Sequence, residues 1–241
     1  MPRARSPVRS IELLITCEHG GHRIPPPYRK YFRGAAELLA SHRGYDRGAL
    51  QMARDFARAL DATLLHTTVS RLLIELNRSI GHRQGFSSRV PAELHAELLA
   101  RYYEPYRRRL QQRVAAAVGR GKRVVHLSCH SFTPRLAGVQ RRADVGLLYD
   151  PRRSSERRLC IAWQKVLSRE GTLVTKRNYP YRGWGDGLTT DLRKRFSVGD
   201  YAGVELEVNQ KFPRAGGARW RRLRRSLVES FEAALDQSLR I

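Results

Sequence analysis

Three hydrophobic runs in this chain each end in side chains that bind metals or move protons. Ile11-Glu12-Leu13-Leu14-Ile15-Thr16 runs into Cys17-Glu18-His19-Gly20-Gly21. Val124-Val125 leads to His126-Leu127-Ser128-Cys129-His130, and Gly203-Val204 to Glu205-Leu206-Glu207-Val208-Asn209. Each reads as a buried strand with polar groups where a purely structural strand would be apolar. An unpaired charge in such a place costs on the order of several kcal/mol, and a shared metal ion is the simplest compensation. A period of two puts His126, Ser128 and His130 on one face, and Glu205, Glu207 and Asn209 on another. Zinc accepts imidazole nitrogen and carboxylate oxygen, and a catalytic site keeps a position open for water. His19 and His130 are the natural nitrogen donors. Glu18, Asp46, Glu205 and Glu207 are the candidate carboxylates, one of which would act as general base. His126 and Ser128, on the His130 face, are candidates to orient a ligand from behind. Cys129 points away from that face and reads as a packed thiol. Cys17 has no neighbouring base that would mark a nucleophile.

Strand and helix patterns must alternate to carry these residues. Strands are expected at 11–17, 63–69 (continuing over 71–76 after a bend), 123–130, 145–150, 172–175 and 202–209. Helical faces are expected over 47–60, 91–119, 154–169, 187–195 and 218–238. This order implies an α/β fold, a largely parallel sheet with helices on both faces. Ligands bind such sheets beyond the carboxyl ends of the strands, where His19, His130 and Asn209 should lie.

The 241 residues suit one domain spanning 1–241, with 1–10 flexible. A hydrophobic content of 41% supports a packed core. No run of about 18 apolar residues points to a membrane span, and the basic start lacks the apolar segment of a secretory signal. Three scattered cysteines imply neither a disulfide framework nor a thiolate zinc site, so the expected setting is reducing and cytoplasmic. The net charge of +24 raises the question of a polyanion partner. The charge is nearly all arginine and runs along the whole chain. It therefore reads as a solvated surface, and no nucleic-acid partner is expected.

Six ordered blocks carry a family resemblance. They are His19-Gly20-Gly21-His22-Arg23-Ile24-Pro25, Gly44-Tyr45-Asp46, Leu76-Asn77-Arg78-Ser79, Leu127-Ser128-Cys129-His130-Ser131-Phe132, Asn178-Tyr179-Pro180-Tyr181-Arg182-Gly183 and Glu205-Leu206-Glu207-Val208-Asn209-Gln210. Over roughly residues 11–212 the chain resembles N-formylglutamate amidohydrolases and their relatives. The resemblance implies a three-layer fold, a mostly parallel mixed sheet between helices similar to that of zinc carboxypeptidases. It also implies a zinc-type site from His19, Asp46 and His130, the divalent ion not being fixed by the residues. A glutamate on the last strand would be the base, Glu207 being preferred and Glu205 the competitor. The substrate would be a small anionic N-acyl amino acid, held by Asn77, Arg78, Ser131 and Arg182, since arginine grips a carboxylate through a two-pronged fork. Glutamate-specific members typically read Pro-His-Ser-Gly where this chain has Glu18-His19-Gly20-Gly21, and Asp where it has Glu75. It therefore resembles a relative within the broader family. Two other functions share these residues: a zinc peptidase acting on a small peptide or cell-wall fragment, and a non-catalytic polyanion-binding protein on the same fold.

Overall fold

A computed structural model describes residues 9–169, 171 and 173–239. The elements, in chain order, are β1 (Ile11–Cys17), α1 (Ala36–Ala40), α2 (Ala49–Ala59), β2 (Thr63–His66), α3 (His95–Leu98), α4 (Glu104–Gly119), β3 (Arg123–Phe132), β4 (Arg135–Leu136), β5 (Val139–Gln140), β6 (Val145–Leu148), α5 (Ser154–Arg169), β7 (Thr175–Arg177), α6 (Leu188–Arg195), β8 (Tyr201–Asn209), α7 (Lys211–Ala215) and α8 (Gly217–Leu239). Six strands form one sheet in the order β2-β1-β3-β8-β6-β7, and β4 and β5 form a separate hairpin. The β2, β1, β3 and β8 strands run parallel. β6 is antiparallel to β8, and β7 follows β6. The architecture is three-layer α/β with a mostly parallel mixed sheet.

Alternation along the strands explains the layers. Ile15, Cys17, Val125, Leu127, Cys129, Val204, Leu206 and Val208 share one face, packed with Met52 and Phe56 of α2, Trp163 of α5 and Phe231 of α8. Leu14, Val124 and Tyr201 begin the other face, against Leu110 and Val114 of α4 and Leu192 of α6. This second face turns from apolar to polar toward the carboxyl ends. Burying a Leu or Phe side chain contributes roughly 1.5–3 kcal/mol, so the apolar face anchors the sheet while the other is free to carry chemistry.

Some elements depart from the sequence expectation. Residues 71–76 form turns rather than a strand. They enter a third hydrophobic cluster, in which Leu73, Ile74 and Leu76 pack with Tyr28, Phe32 and Leu98. The strand expected at 172–175 is Thr175–Arg177, and Thr172 itself lies outside the described residues. β6 stops at Leu148, before the Asp150-Pro151 turn. The helical stretch expected over 91–119 is α3 and α4 joined by a widened turn at Leu99–Tyr103. Pro105, which lacks an N–H, directly follows this widened turn, in the first turn of α4. Flexibility was expected for 1–10, of which residues 1–8 lie outside the described residues. Arg9 is ordered by Asp200 and the carbonyls of Gly121 and Lys122.

Candidate active site

β1 and β3 are neighbours in register, Thr16 beside Ser128, so the residues just beyond β1 meet the end of β3. The loop after β1 turns at Gly20. A Cβ there would stand 2.7 Å from the Thr67 carbonyl oxygen, so only glycine lets the two loops run this close. The turn leaves the His19 carbonyl to accept the Asp46 backbone N–H at 2.9 Å, which draws the 41–48 loop over the sheet end.

His19, Asp46 and His130 converge there, each offering a ligand atom within 4.8 Å of the other two. Asp46 Oδ2 lies 3.3 Å from His19 Nδ1 and 3.0 Å from His130 Nδ1. The outer nitrogens face other carboxylates. His19 Nε2 is 2.5 Å from Glu75 Oε1. His130 Nε2 is 2.8 Å from Ser128 Oγ and 3.2 Å from Glu18 Oε2. The Ser128 hydroxyl donates to Glu18 at 2.7 Å, and the Tyr106 hydroxyl donates to its other oxygen at 2.8 Å. Arg71 completes the arrangement, 2.5 Å from Glu75 and 3.5 Å from Asp46.

The charges follow from these partners. Burial opposes ionisation of Glu18, Asp46 and Glu75. Even so, His130 beside Glu18, His19 with His130 beside Asp46, and Arg71 with His19 beside Glu75 hold all three carboxyls well below the usual carboxylate range. His130 is likewise buried, yet its bonds to Asp46 and Glu18 lift it well above an ordinary histidine. Ionised Glu75 and Glu18 accept from Nε2–H, which leaves each Nδ1 facing the centre. Two imidazole nitrogens and a carboxylate, each imidazole backed by a carboxylate, are a donor set that fits a divalent metal such as zinc.

The last strand brings the acid/base candidates. Glu207 lies opposite His130 and Glu205 opposite Ser128 in the β3–β8 register. The Glu205 carboxylate accepts the Thr189 hydroxyl at 2.6 Å. Glu207 Oε2 is buried without a hydrogen-bond partner. Burial pushes its carboxyl up to about 8, with the Asp46 and Glu205 charges adding to the effect. Gly146 faces Glu207 across β6 and β8. A Cβ on it would sit 1.9 Å from the Tyr179 carbonyl oxygen, so this glycine admits the 178–187 loop beside the site.

The other expected residues are placed as follows. Asn77 is buried, and its side-chain oxygen accepts the Leu188 N–H at 2.8 Å, tying the 77–79 loop to the start of α6. Arg78 is half-buried and donates to the Asp186 carbonyl, its Nε buried without a partner. Arg182 is exposed above the Trp184 ring. Ser131 donates to the Arg47 carbonyl at 2.9 Å, a bond within the 46–47 loop's anchorage. The expectation that His126 orients a ligand is not met. It sits between Thr16 Oγ1 at 2.9 Å and the Tyr201 hydroxyl at 2.7 Å, two repeats of the pleat behind His130, and bonds to none of His19, Asp46 and His130. Glu18, expected among the possible ligands, turns instead to the outer nitrogen of His130. Sequence reasoning missed Arg71, Glu75 and Tyr106. Arg71 and Glu75 stand four apart just before Asn77-Arg78, but a strand reading of 71–76 extends the chain there, whereas the turns it actually makes bring both side chains back to His19 and Asp46. Tyr106 lies within the helix expected over 91–119 and carries no sequence mark of the site.

His19, Asp46, Asn77, Arg78, His130, Arg182, Glu205 and Glu207 all line one open cavity of about 780 Å³. The strand ends of this α/β sheet thus carry a buried His-Asp-His cluster and, beside it, a carboxyl oxygen without a hydrogen-bond partner. The chain belongs to the N-formylglutamate amidohydrolase family, whose pattern it matches over residues 11–212. The fold is similar to that of a gene product from Agrobacterium tumefaciens, at 26% identity over 94% of this chain and 91% of the other, with a TM-score of 0.81. It is also similar to an N-formylglutamate amidohydrolase from Ralstonia eutropha, at 18% identity over 95% and 94%, with a TM-score of 0.71. Among curated proteins none matches. No helix among the described residues is long and apolar enough to cross a membrane.

Proposed function

We propose that this protein hydrolyses the amide bond of a small anionic N-acyl amino acid, N-formylglutamate or a close analogue, at a divalent metal site of the zinc type. His19, Asp46 and His130 would hold the ion, which when bound supplies positive charge to polarise a water and the scissile carbonyl. Glu207 takes a proton from the attacking water at Oε2 and returns it to the leaving amine. Its titration near 8 suits a group that must both accept and give back a proton around neutral pH. Glu205 is engaged by Thr189 and sits one residue pair further from the cluster, which favours Glu207 for this role. Arg78 and Arg182 face the cavity and hold the substrate carboxylate, so binding energy remote from the amide orients it. Arg71 and Glu75 keep His19 in place from behind.

The observation that carries this reading is the Glu207 carboxyl, buried and partnerless opposite His130. Glu207→Gln is expected to keep its metal by elemental analysis while turnover of N-formylglutamate drops roughly a thousandfold. Retained turnover would overturn the role of Glu207. A metal-loaded wild-type protein inert toward every N-acyl amino acid tried would overturn the reaction itself.

A further inference from the structure

The cavity sets five arginines around a floor of engaged carboxylates. Its floor is acidic and engaged: Asp46 and Glu75 are bonded to the two histidines and Arg71. Its mouth is lined by Arg43, Arg78, Arg83, Arg89 and Arg182, drawn from three separate loops. Among the described residues no carboxylate pairs in a salt bridge with any of these five. Arg43, Arg83, Arg89 and Arg182 are exposed. The acid at the mouth, Asp186, is taken by the backbone N–H and hydroxyl of Ser79. The surrounding field is positive enough to act on His42, which is held below its ordinary value by partial burial and then by Arg43, Arg214, Arg141 and Arg71. Size points the same way. A volume of about 780 Å³ lies high in the range that encloses drug-sized ligands. N-formylglutamate has only about a dozen non-hydrogen atoms and carries two carboxylates, which are too close together on so small a molecule to reach arginines from all three loops.

Resting on the amidohydrolase reading above, we propose that the substrate class is an N-acylated acidic peptide with two or more carboxylates beyond the first residue's own. Its first residue would sit at Arg78 and Arg182, and its following acidic groups at Arg43, Arg83 and Arg89. Water adds across the N-acyl bond, giving the acyl group as its carboxylate and the peptide with a free α-amine. No co-reactant is needed. The arginines at the outer mouth are then specificity determinants rather than solvated surface.

The test compares N-formyl-Glu, N-formyl-Glu-Glu and N-formyl-Glu-Glu-Glu on the metal-loaded protein, by calorimetric binding and by turnover. Each added carboxylate is expected to tighten binding about three- to tenfold at low salt, with the gain shrinking as salt rises. In an Arg83→Ser/Arg89→Ser double variant the gain across the series should flatten. In Arg108→Ser/Arg109→Ser, which removes the same charge from exposed positions on α4 outside the cavity, the gain should persist. Equal binding of all three peptides, or a gain lost equally in both double variants, overturns the proposal. Rising affinity without hydrolysis of any peptide leaves the specificity standing and removes the amidohydrolase reading. Hydrolysis of N-formyl-Glu without a gain does the reverse.

Discussion

His126 and His130 lie four residues apart on the same strand and the same face, exposed by 0% and 3%. Burial therefore cannot distinguish them, yet they are opposite in character. His126 is flanked by two hydroxyls, Thr16 and Tyr201, and burial pushes it down to about 4, so it is neutral. His130 is flanked by the carboxylates of Asp46 and Glu18 and is lifted far above an ordinary histidine despite equal desolvation. Across the sheet His126 faces Gly203, while His130 faces Glu207. Partners decide whether a buried imidazole is a packed neutral group or a member of a charged centre, and those partners change within two steps of the pleat.

The largest effect should come from exchanging that distinction for a deletion. His130→Ala removes one of three inward nitrogen and oxygen donors. Metal content is expected to fall from about one ion per chain toward none, and turnover to fall by orders of magnitude with it. His126→Gln, which keeps a polar group between Thr16 and Tyr201, should retain the ion. Elemental analysis of both dialysed variants decides the matter, and equal metal loss in both would erase the division between the middle of the sheet and its end.

The sequence conveyed this end of the sheet better than its surroundings. Strand alternation and the polar breaks at His126–His130 and Glu205–Glu207 place the right side chains on one face, because a period of two survives any tertiary context. The loop that brings Asp46 over β3 has no period at all; residue type alone made Asp46 one of four candidate carboxylates, and the resemblance singled it out as a ligand. Arg71 and Glu75 escaped because residues 71–76 are apolar enough to look like a strand, while their backbone turns to pack Leu73 and Leu76 into the loop cluster. The role expected of His126 failed for a related reason. Period two tells which face a residue takes but not how far along the strand its neighbours stop being apolar. Tyr201 and Thr16 are the residues that meet it, and neither carries a sequence mark of doing so.

A middle-sized effect should appear in acid. His126 titrates at about 4 in the fold and at 6.5 as an ordinary histidine, so the unfolded chain binds more protons between those values. Its contribution is complete above about pH 6.5 and is lost as pH falls toward about 4, by roughly 3 kcal/mol. Glu18, Arg193 and His130 also act on this ring. The difference between wild type and His126→Gln should isolate it, because the other titrating groups are present in both. Urea unfolding at a series of pH values is expected to show a stability gap that narrows or reverses from pH 6.5 to 4. A gap independent of pH would mean that His126 titrates normally in the fold.

The smallest expected effect probes whether the two histidines are truly separate. Tyr201→Phe keeps the ring packed in the core against Leu14 and Leu192 but removes the hydroxyl from His126 Nδ1, leaving a buried ring nitrogen unsatisfied. The cost should be about 1–2 kcal/mol in unfolding free energy, with turnover and metal content unchanged. A path nevertheless leads by hydrogen bonds from Tyr201 through His126 to Thr16, and Thr16 in turn helps to hold down the Glu18 carboxyl that backs His130. If that path transmits only position, Thr16 can relax around a repositioned His126 and the charged centre will not register the change. If Tyr201→Phe slows turnover by more than its loss of stability accounts for, the hydroxyl-bonded histidine is helping to aim the carboxylate-bonded one. The strand would then be a single polar relay rather than two independent sites.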